Sequence, residues 1–229
     1  MHSVVGDYLE AIYSLTAEGD DAVNNVTLAG LFGVSRQAVS ATVLRLARDG
    51  FIETNEHRLR LTPAGTDRAE EGLRRHCIAE RFLADVLGLA WDAVHEQAKT
   101  FEQGLTPLLE DRIDARLGHP TTCPHGNPVP RPECNAATYF RDQQAVTLAR
   151  APLQSSLQVL AISEIAERSV EWLRRCASLG LLPGSPVQVH ARTGSRVDLL
   201  LAGTKEPATI EAALAARIWA VRLPTEEER

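Results

Sequence analysis

Aromatic residues make up only 5% of this 229-residue chain, so its cores must be built from aliphatic side chains. Cysteine is scarce as well. Cys77, Cys123, Cys134 and Cys176 are widely scattered, which excludes a disulfide-rich secreted scaffold. In a reducing compartment, a cysteine beside a histidine reads as a ligand candidate, whereas Cys77 and Cys176 read as small buried hydrophobes. No window approaches the roughly eighteen apolar residues of a membrane span. No basic start followed by an apolar run marks an export signal, so a cytoplasmic protein with no membrane partner is expected. An excess of positive charge is also missing. Lys and Arg number 24 against 30 Asp and Glu, a net charge of −6 that argues against a generally basic nucleic-acid binder but allows a local basic face. HExxH, a nucleophile elbow and a phosphate-cradling glycine loop are all absent, which removes the usual marks of an enzyme.

What is present is ordinary for a globular protein: 44% hydrophobic and 24% charged residues, with length for two or three small domains. Apolar residues at Val5, Leu9, Ile12 and Leu15 recur at helical spacing over 3–18, and Asp7 and Glu10 share one edge of that helix. Thr27 then suits the cap of a short helix ending at Gly33, and Ser35 caps another running to Gly50. Residues 51–62 read as two short strands around Asn55, Glu56 and His57. Together these make a winged helix-turn-helix. Pro63 opens a long helix toward Gly88; further helices are expected from Trp91 to Gln103 and from Thr106 to Leu117. Residues 119–132 contain five prolines and can be neither helix nor central strand. From about Gln144 the pattern becomes five short strands and one helix, over Val170 to Leu179, fitting a small bent β-barrel. The fold class is therefore mainly α with a small all-β domain. The expected domains are 1–63 for DNA binding, 64–140 for a helical dimerisation and metal domain, and 144–224 for the barrel.

Within residues 35–49, Val39, Val43 and Leu46 form a buried stripe. Ser35, Arg36, Gln37 and Ser40 fall on the outward N-terminal part, where a recognition helix enters the major groove. Thr27 from the preceding helix, with His57, Arg58 and Arg60 on the wing, complete the candidate DNA-binding set. Five arginines against three acids lie between Thr27 and Pro63, so positive charge is concentrated where DNA would sit.

Beyond the wing, His76 and Glu80 are four apart on one helix face, and His95, Glu96 and Glu102 follow on the next helix. Cys123 and His125 lie in the proline-rich stretch. Imidazole with carboxylate suits Mn(II), Fe(II), Co(II), Ni(II) or Zn(II). A single His–Glu pair is more often an ion pair than a metal site. The Cys-Pro-His turn is the more informative element, because it brings thiolate and imidazole close in a stretch of forced geometry.

Taken in order, VVGDYLEAIY, the winged helix, RHCIAERFLADVLGL, VHEQAKTFEQ and CPHGNPVP resemble the diphtheria-toxin-repressor family of metal-dependent regulators. Asp7, Cys123 and His125 are most like its manganese-responsive branch, and GLLPG resembles the FeoA-like barrel of ferrous-iron-transport A proteins. The resemblance implies a homodimer that binds palindromic double-stranded DNA operators when loaded with Mn(II) or Fe(II), repressing metal-uptake genes. It implies a primary site of Asp7, Glu10, Glu102, Gln103 and position 99. It implies a second site of His76, Glu80, His95, Cys123 and His125, with Glu164 and Glu167 from the barrel. Two positions depart from the family pattern. A lysine, Lys99, stands where a Cys or Glu ligand is expected, and Gln103 stands where a His is expected. An ammonium cannot ligate while protonated and repels a dication. Two alternatives follow: a winged-helix regulator that has lost metal dependence, and a metal-dependent hydrolase fused to a DNA-binding domain.

Overall fold

The computed structural model describes residues 4–20, 22–56, 58–132, 134 and 136–223. The chain begins with α1 (Val4–Ala17), α2 (Asn25–Phe32) and α3 (Arg36–Arg48), followed by the antiparallel hairpin of β1 (Ile52–Asn55) and β2 (Arg58–Leu61). Asn24, in extended backbone, caps α2 by accepting from Val26 N at 2.8 Å and Thr27 N at 3.1 Å. The cap is thus Asn24 and not Thr27, because a short amide side chain just outside the helix reaches the first free N–H groups. Thr27 becomes a half-buried residue of the first turn. Ser35 does cap α3, accepting from Ala38 N at 3.2 Å. Val39, Val43 and Leu46 of α3 pack on Leu9, Ile12, Leu15 and Leu28, one aliphatic core beneath the recognition helix.

Thr62 caps the next helix, α4 (Pro63–Arg81), with Pro63 in its first turn; a π-helical turn over Phe82–Val86 extends it. α5 (Val94–Phe101) runs into a 3₁₀ turn at Glu102–Gly104, and α6 (Pro107–Arg116) follows. The proline-rich stretch is ordered: Cys123 N donates to Asn127 O at 2.8 Å, and Ile162 N donates to His125 O at 2.9 Å, tying the turn to the C-terminal sheet. A short helix, α7 (Tyr139–Asp142), leads into that sheet.

β3 (Val146–Thr147), β4 (Ser156–Ile162), β5 (Pro186–Thr193), β6 (Arg196–Leu201), β7 (Ala208–Glu211) and β8 (Ile218–Arg222) form one antiparallel sheet in the order β3–β8–β4–β5–β6–β7. It has one strand more than the sequence pattern shows. β7 is four residues long with only Ile210 buried, too short to display alternation. Register shifts at Val159/Ala161 and Val189/Ala191 bend the long strands. α8 (Glu164–Glu167), α9 (Val170–Leu179) and α10 (Ala212–Ala215) complete the domain.

The sheet domain is fastened to the winged helix. Ile165 of α8 joins the N-terminal core, Arg168 lies 5.1 Å over the Phe32 ring, and Arg217 Nη1 meets Glu18 Oε2 at 2.5 Å. Gly126 makes the close approach that seats the proline-rich turn on β4. Its φ is +91°, and a Cβ there would lie 2.2 Å from the Leu160 carbonyl oxygen. Gly126→Ala is therefore expected to destabilise the metal-free protein by about 1–3 kcal/mol. Chemical denaturation checks this, and an unchanged midpoint would contradict it.

Candidate metal centre

α4 buries Leu73, His76, Cys77 and Glu80 on one face, so the sequence that packs the helix also turns an imidazole and a carboxylate inward. His95 arrives from the buried face of α5, Cys123 and His125 from the proline-rich turn, and Glu167 from α8. His76 Nε2 lies 3.1 Å from Glu80 Oε1 and 3.0 Å from His95 Nδ1. His95 Nδ1 lies 3.1 Å from Glu80 Oε1 and 2.9 Å from Glu167 Oε2. Ligands about 2.1 Å from a common cation and cis to one another stand about 3 Å apart, so this spacing fits a divalent ion. A second group, Glu80, Cys123, His125 and Glu167, shares both carboxylates with the first.

Two of the three imidazoles, those of His76 and His125, are oriented from behind. His76 Nδ1 donates to Glu102 Oε2 at 2.7 Å, which leaves Nε2 for the centre. His125 Nε2 donates to the Trp91 carbonyl at 3.0 Å, so Nδ1 faces Glu80 and Glu167 at 3.4 and 3.3 Å. Trp91 Nε1 in turn donates to Pro124 O at 2.9 Å, and Arg81 Nε to Thr122 O at 2.7 Å, fixing the turn. Asn127 donates to Glu167 Oε1 and, at 2.7 Å, to Ile162 O. Trp91, Arg81 and Asn127 were not legible as site residues: Asn127 had a signal in its place just after the Cys-Pro-His turn, whereas Trp91 and Arg81 reach that turn only through the fold.

The donor set calls for a cation. Among the described residues, Glu80 Oε2 and His125 Nδ1 are buried and meet only each other and Glu167, at 3.3–3.4 Å, longer than a good hydrogen bond, so their donor capacity is poorly used without an ion. Burial opposes charge on His76, but Glu80 and Glu102 hold its pKa well above 6.5; Glu167 and Glu80 do the same for His125. Burial likewise opposes charge on Glu80, yet His125 and His76 keep its carboxyl well below the usual range. Burial, Cys77 and Glu167 push the Cys123 thiol up, and burial and Glu167 push the Glu164 carboxyl up. The metal-free centre thus balances carboxylates against imidazolium ions.

The other expected site is different. Glu102 is buried, but its carboxylate serves His76. Glu10 is half-buried against α4, where a Cβ on Gly72 would meet its Oε1 at 2.2 Å. Lys99 interacts with Asp7, Glu164 and Glu102; burial and the neighbouring Arg168 lower its pKa. Gln103 is exposed and its amide donates to the Lys99 carbonyl at 2.9 Å, so the structure does not bring it to the other residues. Glu96 is exposed. No group of three ligand atoms forms around Asp7, Glu10 and Glu102 among the described residues. These residues do not fit a transition-metal site, because a cationic side chain occupies their surroundings and the expected imidazole is an outward-turned amide.

On the winged helix, Ser35, Arg36, Gln37, Arg58 and Arg60 are exposed on one module. Ser40 is half-buried and accepts from Asn25 Nδ2 at 3.0 Å, linking α2 to α3. His57 lies outside the described residues.

A recognition helix packed on the same α4–α8 framework as a buried nitrogen, oxygen and sulfur donor cluster defines a metal-responsive DNA-binding regulator. Residues 1–58 match the iron dependent repressor N-terminal DNA binding domain, and residues 62–131 match the iron dependent repressor metal binding and dimerisation domain. The chain is 32% identical to the iron-dependent repressor IdeR of Mycobacterium tuberculosis, over 86% of this chain and 87% of that protein. It is 31% identical to the diphtheria toxin repressor of Corynebacterium jeikeium, over 80% and 83%. A manganese-dependent transcriptional repressor solved in complex with manganese superposes with a TM-score of 0.80 at 29% identity, over 96% of this chain and all of that one. The chain belongs to the iron-dependent, or diphtheria-toxin, repressor family: homodimeric, metal-dependent DNA-binding repressors that are not enzymes.

Ligation by His76 and His125 displaces the protons these residues hold in the metal-free protein. Cation affinity is therefore expected to rise as pH rises above about 6.5, with protons released by the imidazoles and by the Cys123 thiol as the ion binds. The metal-free fold has the opposite dependence: the raised imidazoles stabilise it fully below 6.5 and lose that contribution as pH rises through their folded values. Calorimetric titration in buffers of different ionisation enthalpy measures the release, and a pH-independent affinity would contradict the ligand assignment.

Proposed function

We propose that this protein represses metal-uptake genes when Mn(II) or Fe(II) occupies the centre formed by His76, Glu80, His95 and Glu167 together with Cys123 and His125. The observation that supports this most directly is the ring of buried nitrogen and oxygen donors about 3 Å apart around His76 Nε2 and His95 Nδ1. The metal named for the superposable manganese-dependent repressor, and iron for IdeR, agree with a set rich in nitrogen and oxygen. The domains are 1–63 for DNA binding, 64–140 for metal binding and dimerisation, and 144–224 for the sheet. No described helix is long and apolar enough to cross a membrane, in keeping with a cytoplasmic regulator.

A bound divalent cation supplies charge that stabilises Glu80, Glu167 and the Cys123 thiolate together. The chain's own residues carry the consequence to DNA. α8 presents Glu167 to the centre while Ile165 and Arg168 pack against the winged helix, so one short helix touches both. His76 and Glu80 hold α4, which starts at the wing and continues to the exposed apolar residues Val86 and Leu87. These, with exposed Leu108 and Leu109 of α6, are the apolar side chains of this domain open to a second copy. Fixing α4 and α8 fixes the separation of the paired recognition helices, about 34 Å for successive major grooves. Ser35, Arg36 and Gln37 then read base edges and phosphate, with Arg58 and Arg60 on the backbone.

The Asp7, Glu10 and Glu102 side takes no cation in this reading. Lys99 supplies a resident positive charge there, and regulation rests on the other centre. With operator DNA recovered by affinity selection, Mn(II) should tighten binding, and Glu80→Gln should remove at least about tenfold of that effect. Arg36→Ala should cost about 1–3 kcal/mol with metal present. Equal operator affinity with Mn(II) and with chelator would refute this reading.

A further inference from the structure

Beyond the donors already assigned, the same cluster contains a second thiol. Cys77 lies on the buried face of α4 one residue after His76, and Cys123 lies in the proline-rich turn; both are at most 1% exposed. Their sulfurs and a carboxylate oxygen of Glu164 all lie within 4.8 Å of one another, with Cys77 Sγ 4.0 Å from Glu164 Oε1. Ile78, Val129 and Ile113 pack around the thiols and keep them from bulk water. Two sulfurs and a carboxylate converging from three separate segments are a ligand set and not core filling. Sulfur donors also select a different ion from the imidazole and carboxylate group beside them.

We propose that Cys77, Cys123 and Glu164 form a further cation position that takes a thiophilic divalent ion of the Zn(II) and Cd(II) class, with the Cys123 sulfur shared with the neighbouring group. Each thiol releases its proton to solvent as the sulfur–cation bond forms. The Glu80 and Glu167 carboxylates, or water, complete the coordination. The centre then grades from nitrogen and oxygen donors at His76 and His95 to sulfur at Cys77. This chain therefore offers a thiophilic ion its own position at Cys77 and Glu164, joined through Cys123 to the one that answers Mn(II) or Fe(II). The inference rests on the metal-centre reading of the proposed function.

The test uses full-length wild-type protein loaded with one equivalent of Zn(II) per chain and zinc K-edge X-ray absorption. Two sulfur neighbours per zinc at about 2.3 Å are expected. One sulfur or none in the wild type would overturn the proposal, and this measurement does not depend on any variant folding. Cys77→Ser should reduce the count to one and weaken Zn(II) binding at least about tenfold, while Mn(II) affinity stays within about threefold of wild type. A Cys77→Ser protein that binds Zn(II) like wild type would also overturn it. The two readings fail separately. Loss of two-sulfur zinc with intact, His125-dependent Mn(II) binding removes only the sulfur position. Mn(II) binding indifferent to His76 and His125 removes the underlying reading, whatever zinc shows.

Discussion

The structure turns on two buried carboxylates, Glu80 and Glu167, both fully shielded from solvent. A carboxylate left unpaired in such a place would cost on the order of several kcal/mol. The chain offsets that cost by bringing three histidines to them from separate segments: His76 on α4, His95 on α5 and His125 on the proline-rich turn. With His76 and His125 protonated, the charges balance without metal. A divalent cation can replace those protons while the donors stay in place. The centre is thus built for exchange of protons against a dication, and the elements that hold it are those that place the recognition helices.

That arrangement explains why the sheet domain belongs to the switch. Glu167 leaves the sheet domain for the centre, while Arg168 at the end of α8 and Arg217 before β8 grip the winged helix at Phe32 and Glu18. The N-terminal module is therefore connected to the centre twice, through α4 directly and through α8. On the opposite side, Lys99 and Arg168 bring fixed positive charge near Asp7, Glu102 and Glu164. A site that exchanges its cation and a site with a cation built in stand side by side, which concentrates metal response in the first.

Much of this was legible in the sequence because it depends on local rules. Gly33, Ser35 and Pro63 mark helix ends through backbone conformation and capping, and the structure puts helix ends at each. His76 and Glu80 share a face because four residues make about one turn. What depends on tertiary contact was not legible. One miss was local: Asn24 displaced Thr27 as a cap because its side chain accepts from Val26 N and Thr27 N. β7 carries a single inward residue and so has no period. Glu102 is itself an expected primary ligand, but its carboxylate hydrogen-bonds His76, whose position was set by packing of α4 on α5. Cys77 read as a small hydrophobe because nothing in its neighbourhood along the chain reveals that Cys123 folds onto it.

Anomalous diffraction from crystals of the full chain soaked in Mn(II) locates the ion and its ligands in one measurement. The account predicts manganese at the Glu80–Glu167 cluster, bonded to both carboxylates and to the centre-facing nitrogens of His76, His95 and His125, at about 2.1–2.3 Å. Manganese bound instead among Asp7, Glu10 and Glu102, with the Glu80–Glu167 cluster empty of it, would contradict the account.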